Sequence, residues 1–394
     1  MKSIRRFASN CLLAAALVGC GGGGGGGGIG GTGAAMGTLR LSITDAPSCG
    51  YDAVNITIEK VRVHQSASAA AGDSGWSEIV LAPAKRVNLL DLSNGVLQEL
   101  GQTALPAGKY TQLRLLLAAN GAGPPFANSV VPTGGSETAL DTPSAQQSGL
   151  KLNTDIDVPP DQVADFVLDF DACKSVVKRG NSGRYNLKPV ISVIPLLSDA
   201  GMRVVGFVHP AIASGSTLVS LQSAGVPVKA TMPDASGQFV LYPVPAGTYD
   251  LVVTSPGHAT AVMTGVPVVT TAYTHVSSAT VPIAPAGAAS APRAVAGTVT
   301  PPTATVRALQ SFSGGPTVET AFAPVNATSG AFGFSLVIDA PVKTTFVVNP
   351  PSLTFVPDPT AAGRYTIEAT AEGVVKTQPI DANAPVPDVN FVFP

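Results

Sequence analysis

Six aspartates fall within seventeen residues: Asp155, Asp157, Asp161, Asp165, Asp169 and Asp171. Calcium draws several carboxylate and carbonyl oxygens from one compact loop, so a run of this density raises that chemistry. The spacing argues for something plainer. In "ADFVLDFDAC" (164–173) Phe166, Leu168 and Phe170 alternate with polar positions, so a strand would bury the three apolar residues. Asp165, Asp169 and Asp171 would then lie along its solvent face, spread out rather than gathered. Asp157 is followed by Val158-Pro159-Pro160, which fits no calcium-loop template. The expectation is a solvated strand face without cofactor or metal, with Asp165, Asp169 and Asp171 as the calcium candidates.

A second stretch, "GDSGW" (72–76), echoes the nucleophile motif of chymotrypsin-like proteases. Trp76 breaks that pattern. His64, the only earlier histidine, stands ten residues ahead of Ser74, whereas a barrel protease places its histidine and aspartate far upstream of the serine. An ordinary polar turn is the expectation, and no G-x-S-x-G is present. The four histidines, 64, 209, 258 and 275, are scattered without metal-ligand spacing.

The cysteines carry a different chemistry. Lys2, Arg5 and Arg6 precede an eight-residue apolar run, Cys11 to Val18, too short to span a bilayer, which is the plan of an export signal. Leu17-Val18-Gly19-Cys20 resembles the bacterial lipobox. That resemblance implies cleavage after residue 19 and acylation of Cys20, anchoring the chain to a membrane without crossing it. The glycines that follow contribute no side chain to a core and read as a tether over residues 20–36. Gly21, where an aspartate would retain the protein at the inner membrane by the enteric rule, favours the outer membrane. Cys49 and Cys173 are left as a pair, and outside the cytoplasm the simplest expectation is a disulfide.

Composition excludes one class of partner. The mature chain would carry 20 basic against 25 acidic residues, a formal charge of −5, with no basic block for nucleic acid. Charged residues make up only 12% of 394, so two or three cores can be filled, and no later run reaches transmembrane length.

The elements that must position these residues are strands. "GTLRLSITDAP" alternates Leu39, Leu41 and Ile43, and "VNITIEKVRVH" alternates Val54, Ile56 and Ile58. One helical turn is expected in "SNGVLQELG" (93–101). Four of the seven tyrosines follow a glycine by two residues, Tyr110, Tyr185, Tyr249 and Tyr365, each opening a strand. A ring packed between sheets with its hydroxyl on nearby backbone, as in the tyrosine corner of β-sandwiches, explains the recurrence. The expected fold is all-β, serial antiparallel β-sandwiches behind the signal and tether.

Residues 202–283 resemble the carboxypeptidase regulatory-like domain, a prealbumin-like seven-stranded sandwich. The resemblance is carried by Asp234, Gly237, Phe239, Pro245, Gly247, Tyr249, Pro256, Gly257 and His258. It implies scaffold positions and a non-catalytic accessory role. "VAGTVTPPTATVRALQ" (295–310) and "SGAFGF" (329–334) parallel "VVGFVHPAIASGSTLVSLQ" (204–222) and "SGQFVL" (236–241). A second, divergent sandwich is therefore expected over 293–394, with extra residues at 335–361 and the small-residue linker "APAGAASAP" (284–292) before it. Residues 37–195 resemble a family of bacterial lipoprotein domains of unknown function, DUF4382-like, through "GTLRLSITDAP", "YDAVNITIEKVRVH", "LDLSNGVLQELGQTALPAGKYTQLRLLL" and "VLDFDACKSVV". That resemblance implies a β-rich extracytoplasmic domain and no reaction.

The long stretch 120–149 reads as a loop, with Phe126, Gln146 and Gln147 able to touch a glycan or protein. Two functions are consistent with these features. One is a lipid-anchored, non-enzymatic envelope protein that binds a glycan or protein, or spaces domains, facing periplasm or cell surface. The alternative is an envelope hydrolase, or its accessory subunit, acting on glycan or peptide.

Overall fold

A computed structural model describes residues 35–45, 50–142, 145–146, 148–214 and 216–394. The signal, Cys20, residues 21–34 of the expected tether, Cys49 and Gln147 lie outside the described residues, while Met36, expected to end the tether, opens the first strand. Three pairs of β-sheets follow one another, each pair closed on its own apolar core.

In the N-terminal sandwich a four-stranded sheet runs in the order Ile191–Pro195, Val163–Phe170, Met36–Asp45, Gln98–Pro106. It packs on an eight-stranded sheet centred on Tyr51–His64 and Gly108–Leu117. Leu39, Leu41 and Ile43 on one strand and Val54, Ile56 and Ile58 on another are fully buried in the shared core, as period-two alternation requires. The fold is all-β, in serial sandwiches of mainly antiparallel strands, and each sandwich also holds a parallel pair, as where Met36–Asp45 lies beside Val163–Phe170. These returns close each sandwich with a strand from far along the chain, which no local pattern announces.

Two further expectations are corrected. The helical turn falls at Leu89–Leu92, capped by Asn88, rather than at 93–101. Asn94 and Gly95 take positive φ and break the helix, and Gln98–Pro106 continues as strand. Within 120–149, Ser129–Pro132 and Thr138–Asp141 pair as a hairpin on the large sheet, so part of the expected loop is sheet. Phe126 is half-buried, with its carbonyl accepting from Arg86, and Gln146 is exposed beside Thr142.

The central and C-terminal sandwiches share one plan. In both, a three-stranded sheet faces a sheet whose first four strands run in the same chain order. Gly206 pairs with Phe239 in one and Gly297 with Phe332 in the other. A Cβ on Gly206 would come within 2.4 Å of the Phe239 ring, and one on Gly297 within 2.8 Å of Phe332, so both strands need glycine for the ring to lie across them. The extra residues 335–361 do not stay with their own sandwich. Val342–Thr345 pairs in parallel with Ala261–Val268 of the central sheet, Val356–Pro357 extends it, and Phe346, Leu353 and Phe355 pack on the central core. The linker is likewise tied down, through the bridge His258 to Gly287 and the amides of Ala289 and Ser290 on the Asp339 carboxylate.

Apolar contacts also cross between sandwiches. Ile194, Met202 and Tyr242 cluster with Leu97 and Val240 at the first junction, and Val252 and Val262 meet Phe312 and Val318 at the second.

Candidate functional site

The aspartate run divides between two environments. Asp155 pairs with Lys109 at 3.0 Å on an open surface. Asp165 takes the Nε of Arg40 at 2.9 Å. Asp169, expected on a solvated face, is instead buried, because Lys229 of the central sandwich lies over that face with Nζ 2.5 Å from Oδ1. Asp171 has left the strand and caps the short helix Ala172–Ser175, accepting the Lys174 amide at 2.9 Å. The three calcium candidates therefore serve three different cations, and no group of three ligating side chains suited to a metal occurs among the described residues.

Around Asp169 and Asp171 the three sandwiches meet. Lys174 reaches Glu319 of the C-terminal sandwich at 3.2 Å, and Glu319 and Glu368 hold Arg307 at 3.4 and 2.7 Å. Arg307 also donates to the Gly225 carbonyl of the central sandwich. The Gln222 carboxamide brackets Glu319, donating to its carbonyl and accepting its amide, both at 2.8 Å. Beneath the cluster Asp45 is fully buried, with Oδ1 on the Ala172 amide and Oδ2 unpaired among the described residues. Burial, reinforced by the negative charge of Asp171, pushes the Asp45 carboxyl well above the usual carboxylate range. Burial likewise raises Asp171, with Lys174 opposing. At the first junction Asn94 receives the Val240 amide and donates its own to the Thr231 hydroxyl, covering an open edge of the three-stranded sheet of the central sandwich.

The serine motif assembles differently from a triad. The Ser66 amide donates to Nδ1 of His64, so Nε2 carries the proton and donates to the backbone carbonyl of Ser74 at 3.0 Å, not to its hydroxyl. Asp73 accepts the Ala70 amide. Trp76 packs 5.0 Å from His64, with the Arg62 and Arg114 guanidiniums 4.6 and 5.1 Å from its ring. Arg114, buried, donates to the Ala69 and Ser148 carbonyls and to Gln112, so the group fastens a loop. His209 accepts the Ala211 amide, and His258 lies against the Pro256 carbonyl.

The recurrent tyrosines split as well. Tyr110 and Tyr249 donate to the carbonyls of Pro106 and Pro245, four residues back in matching Pro-Ala-Gly-x-Tyr turns, at 2.8 and 2.9 Å. Tyr365 lacks that proline and donates to Val337 instead. Tyr185 packs edge-on against Tyr51 with ring centroids 6.0 Å apart, and neither hydroxyl has a protein partner among the described residues. Both line a cleft of about 320 Å³ between the N-terminal and C-terminal sandwiches, together with Lys178 and Asn326. Nothing in the sequence marks it as a cleft, since its walls come from four separate stretches, at 50–51, 132, 178–185 and 324–326. Cys173 is buried on the short helix, while its expected partner Cys49 is outside the described residues.

With this geometry in view, the comparison with known families is informative for the first sandwich. Residues 36–189 match the family described as "Domain of unknown function (DUF4382)". A DUF4382 domain is present. It spans the N-terminal sandwich up to its last strand, Ile191–Pro195, and contains every one of the six aspartates. Among solved structures, similarity is found to an N-terminal interface mutant of a type II cohesin-X-dockerin complex from Acetivibrio cellulolyticus, at 23% identity. A C-terminal interface mutant of the same complex matches at 24%. Each alignment covers 23% of this chain and 61% of the other, with a TM-score of 0.20. No curated protein shows significant similarity to the chain.

Proposed function

We propose that this chain is a lipid-anchored, non-enzymatic protein of the bacterial envelope, whose DUF4382 domain and two following sandwiches form one body that binds a glycan or protein. The observation that carries this reading is the use made of its charged side chains. The pairs Lys229–Asp169 and Lys174–Glu319, and the bond from Arg307 to the Gly225 carbonyl, join one sandwich to another instead of converging on a substrate-sized space. His64 donates its Nε2–H hydrogen bond to a backbone carbonyl rather than poising a nucleophile.

The finer parts of the reading have separate support. Seven strands of its own in two sheets favour a prealbumin-like, carboxypeptidase regulatory-like identity for the central sandwich. The matching Gly206 and Gly297 extend that identity to the C-terminal one. A Cys49–Cys173 disulfide is favoured by register: Asp45 and Phe170 are partners where their strands end side by side, four residues before Cys49 and three before Cys173. Such a bridge would contribute roughly 5 kcal/mol by loop-closure entropy. The lipobox-like sequence before Cys20 supports the anchor, and Gly21 supports the outer membrane.

The test is the mass of the N-terminal peptide from membrane fractions, with protease accessibility on intact cells. A triacylated Cys20 is expected, and shaving distinguishes the cell surface from the periplasm. A soluble protein with unmodified Cys20 would overturn the anchor. Turnover of a glycan or peptide abolished by one substitution would overturn the non-enzymatic reading.

A further inference from the structure

We propose that the cleft walled by Tyr51, Tyr185, Lys178 and Asn326 binds a short acidic saccharide. This rests on the reading of the chain as an envelope binding module and names the site and ligand class.

The first support is the exception among the tyrosines. A phenol held in a packed structure normally finds a hydrogen-bond partner. Tyr110, Tyr249 and Tyr365 each do so on backbone. Tyr51 and Tyr185 do not, although both are at least half withdrawn from solvent, and both line the same cleft. An edge-to-face ring pair whose hydroxyls have no protein partner among the described residues offers both hydrogen bonds and an apolar surface. That combination suits a sugar ring, whose faces carry C–H groups and whose rim carries hydroxyls.

The second support is the sign of the remaining groups. Lys178 makes no ion pair among the described residues, and its own backbone carbonyl fixes the far wall by accepting the Ala327 amide at 3.1 Å. Asn326 has its Oδ1 taken by the amides of Gly180, Thr328 and Ser329, and its Nδ2 amino group has no protein acceptor among the described residues. Among the described residues no carboxylate lines the cleft. An ammonium and an amide donor without an acid between them select an acceptor-rich, negatively charged ligand. At about 320 Å³ the space is at the small end for a ligand site, suiting one or two sugar units.

The experiment is calorimetric titration of the full-length, membrane-purified protein with digalacturonate, and with neutral galactobiose as the uncharged counterpart. Digalacturonate is expected to bind, more weakly as salt rises, with galactobiose at least tenfold weaker. Tyr51→Phe keeps the ring contact and loses one hydroxyl, and Lys178→Met removes an exposed charge, so both variants should fold. Each is expected to weaken digalacturonate at least tenfold. Binding left unchanged in both variants would overturn the cleft while the binding-module reading stands. The absence of binding by either saccharide would overturn the proposal. Cleavage of digalacturonate, with binding weakened in the variants, would support the cleft and overturn the non-enzymatic reading.

Discussion

Asp155 and Asp169 belong to one short acidic run, sit on neighbouring stretches of the same DUF4382 domain and each meet a lysine, yet they live in opposite media. The Lys109–Asp155 side chains are 64% and 80% exposed, and those of Lys229 and Asp169 are 1% and 8%. In water the first pair is screened and its long side chains lose entropy by holding one geometry, so it adds little. In the second pair both charges were stripped of water when the central sandwich closed, and each is tolerable only because the other is there. Sequence shows equal carboxylates; the body that covers them decides what they do.

The strongest way to break the comparison is to remove one partner of the buried pair. Lys229→Ala leaves Asp169 under the central sandwich without its cation and is expected to cost about 3–5 kcal/mol, the usual penalty for removing one partner of a buried pair. Denaturant unfolding should shift accordingly, and calorimetry should resolve a separate early transition. Replacing both partners, Lys229→Met with Asp169→Leu, should recover most of the loss. If the single variant matches wild type, the junction opens in solution and the one-body reading fails.

Next in size is a neutral link of the same seam. Gln222→Ala leaves the amide and carbonyl of Glu319 without the carboxamide that brackets them. The expected cost is about 1–3 kcal/mol. Hydrogen exchange at the Glu319 amide should quicken in this variant more than at the core of either sandwich.

Asp45 sharpens the contrast through pH. Its carboxyl is raised by burial, so the folded protein holds this proton longer than the unfolded chain does. Between the unfolded value, about 4, and the higher folded one, stability falls as pH rises; it is greatest below the unfolded value. Asp45→Asn keeps an Oδ1 acceptor for the Ala172 amide and removes that dependence. Denaturation midpoints of wild type and variant should diverge in the variant's favour as pH rises above about 4. Parallel curves would mean that Asp45 is hydrated.

What could be read beforehand follows from the range of the interactions. Leu39, Leu41 and Ile43 announce a half-buried strand by themselves, and Pro106 and Pro245 sit four residues from the tyrosines they receive, so strands and tyrosine corners were legible. Asp169 was not, because Lys229 is 60 positions away on another sandwich, nor was the passage of Val342–Thr345 into the central sheet. The Asn94–Gly95 turn looked helical until its contacts with Thr231 and Val240, 137 and 146 positions on, were in place. Of the candidate site, the sequence offered Phe126, Gln146 and Gln147, whereas the free phenols of Tyr51 and Tyr185 stand out only once the other tyrosines are seen to be satisfied.

The smallest expected effect is the most informative control. Lys109→Ala removes an ion pair as short as 3.0 Å from the same aspartate run, and geometry alone would rank it beside Lys229. Exposure reverses that ranking. Water replaces the ammonium at Asp155, the freed carboxylate stays solvated, and the entropy of holding Lys109 is returned. No measurable change in unfolding midpoint is expected at physiological salt, and none at high salt, where screening would have removed the attraction anyway. A loss comparable to that of Lys229→Ala would mean that some partner covers the Asp155 surface in the assembled protein. The distinction between a solvated and a joined half of the run would then give way to two interfaces.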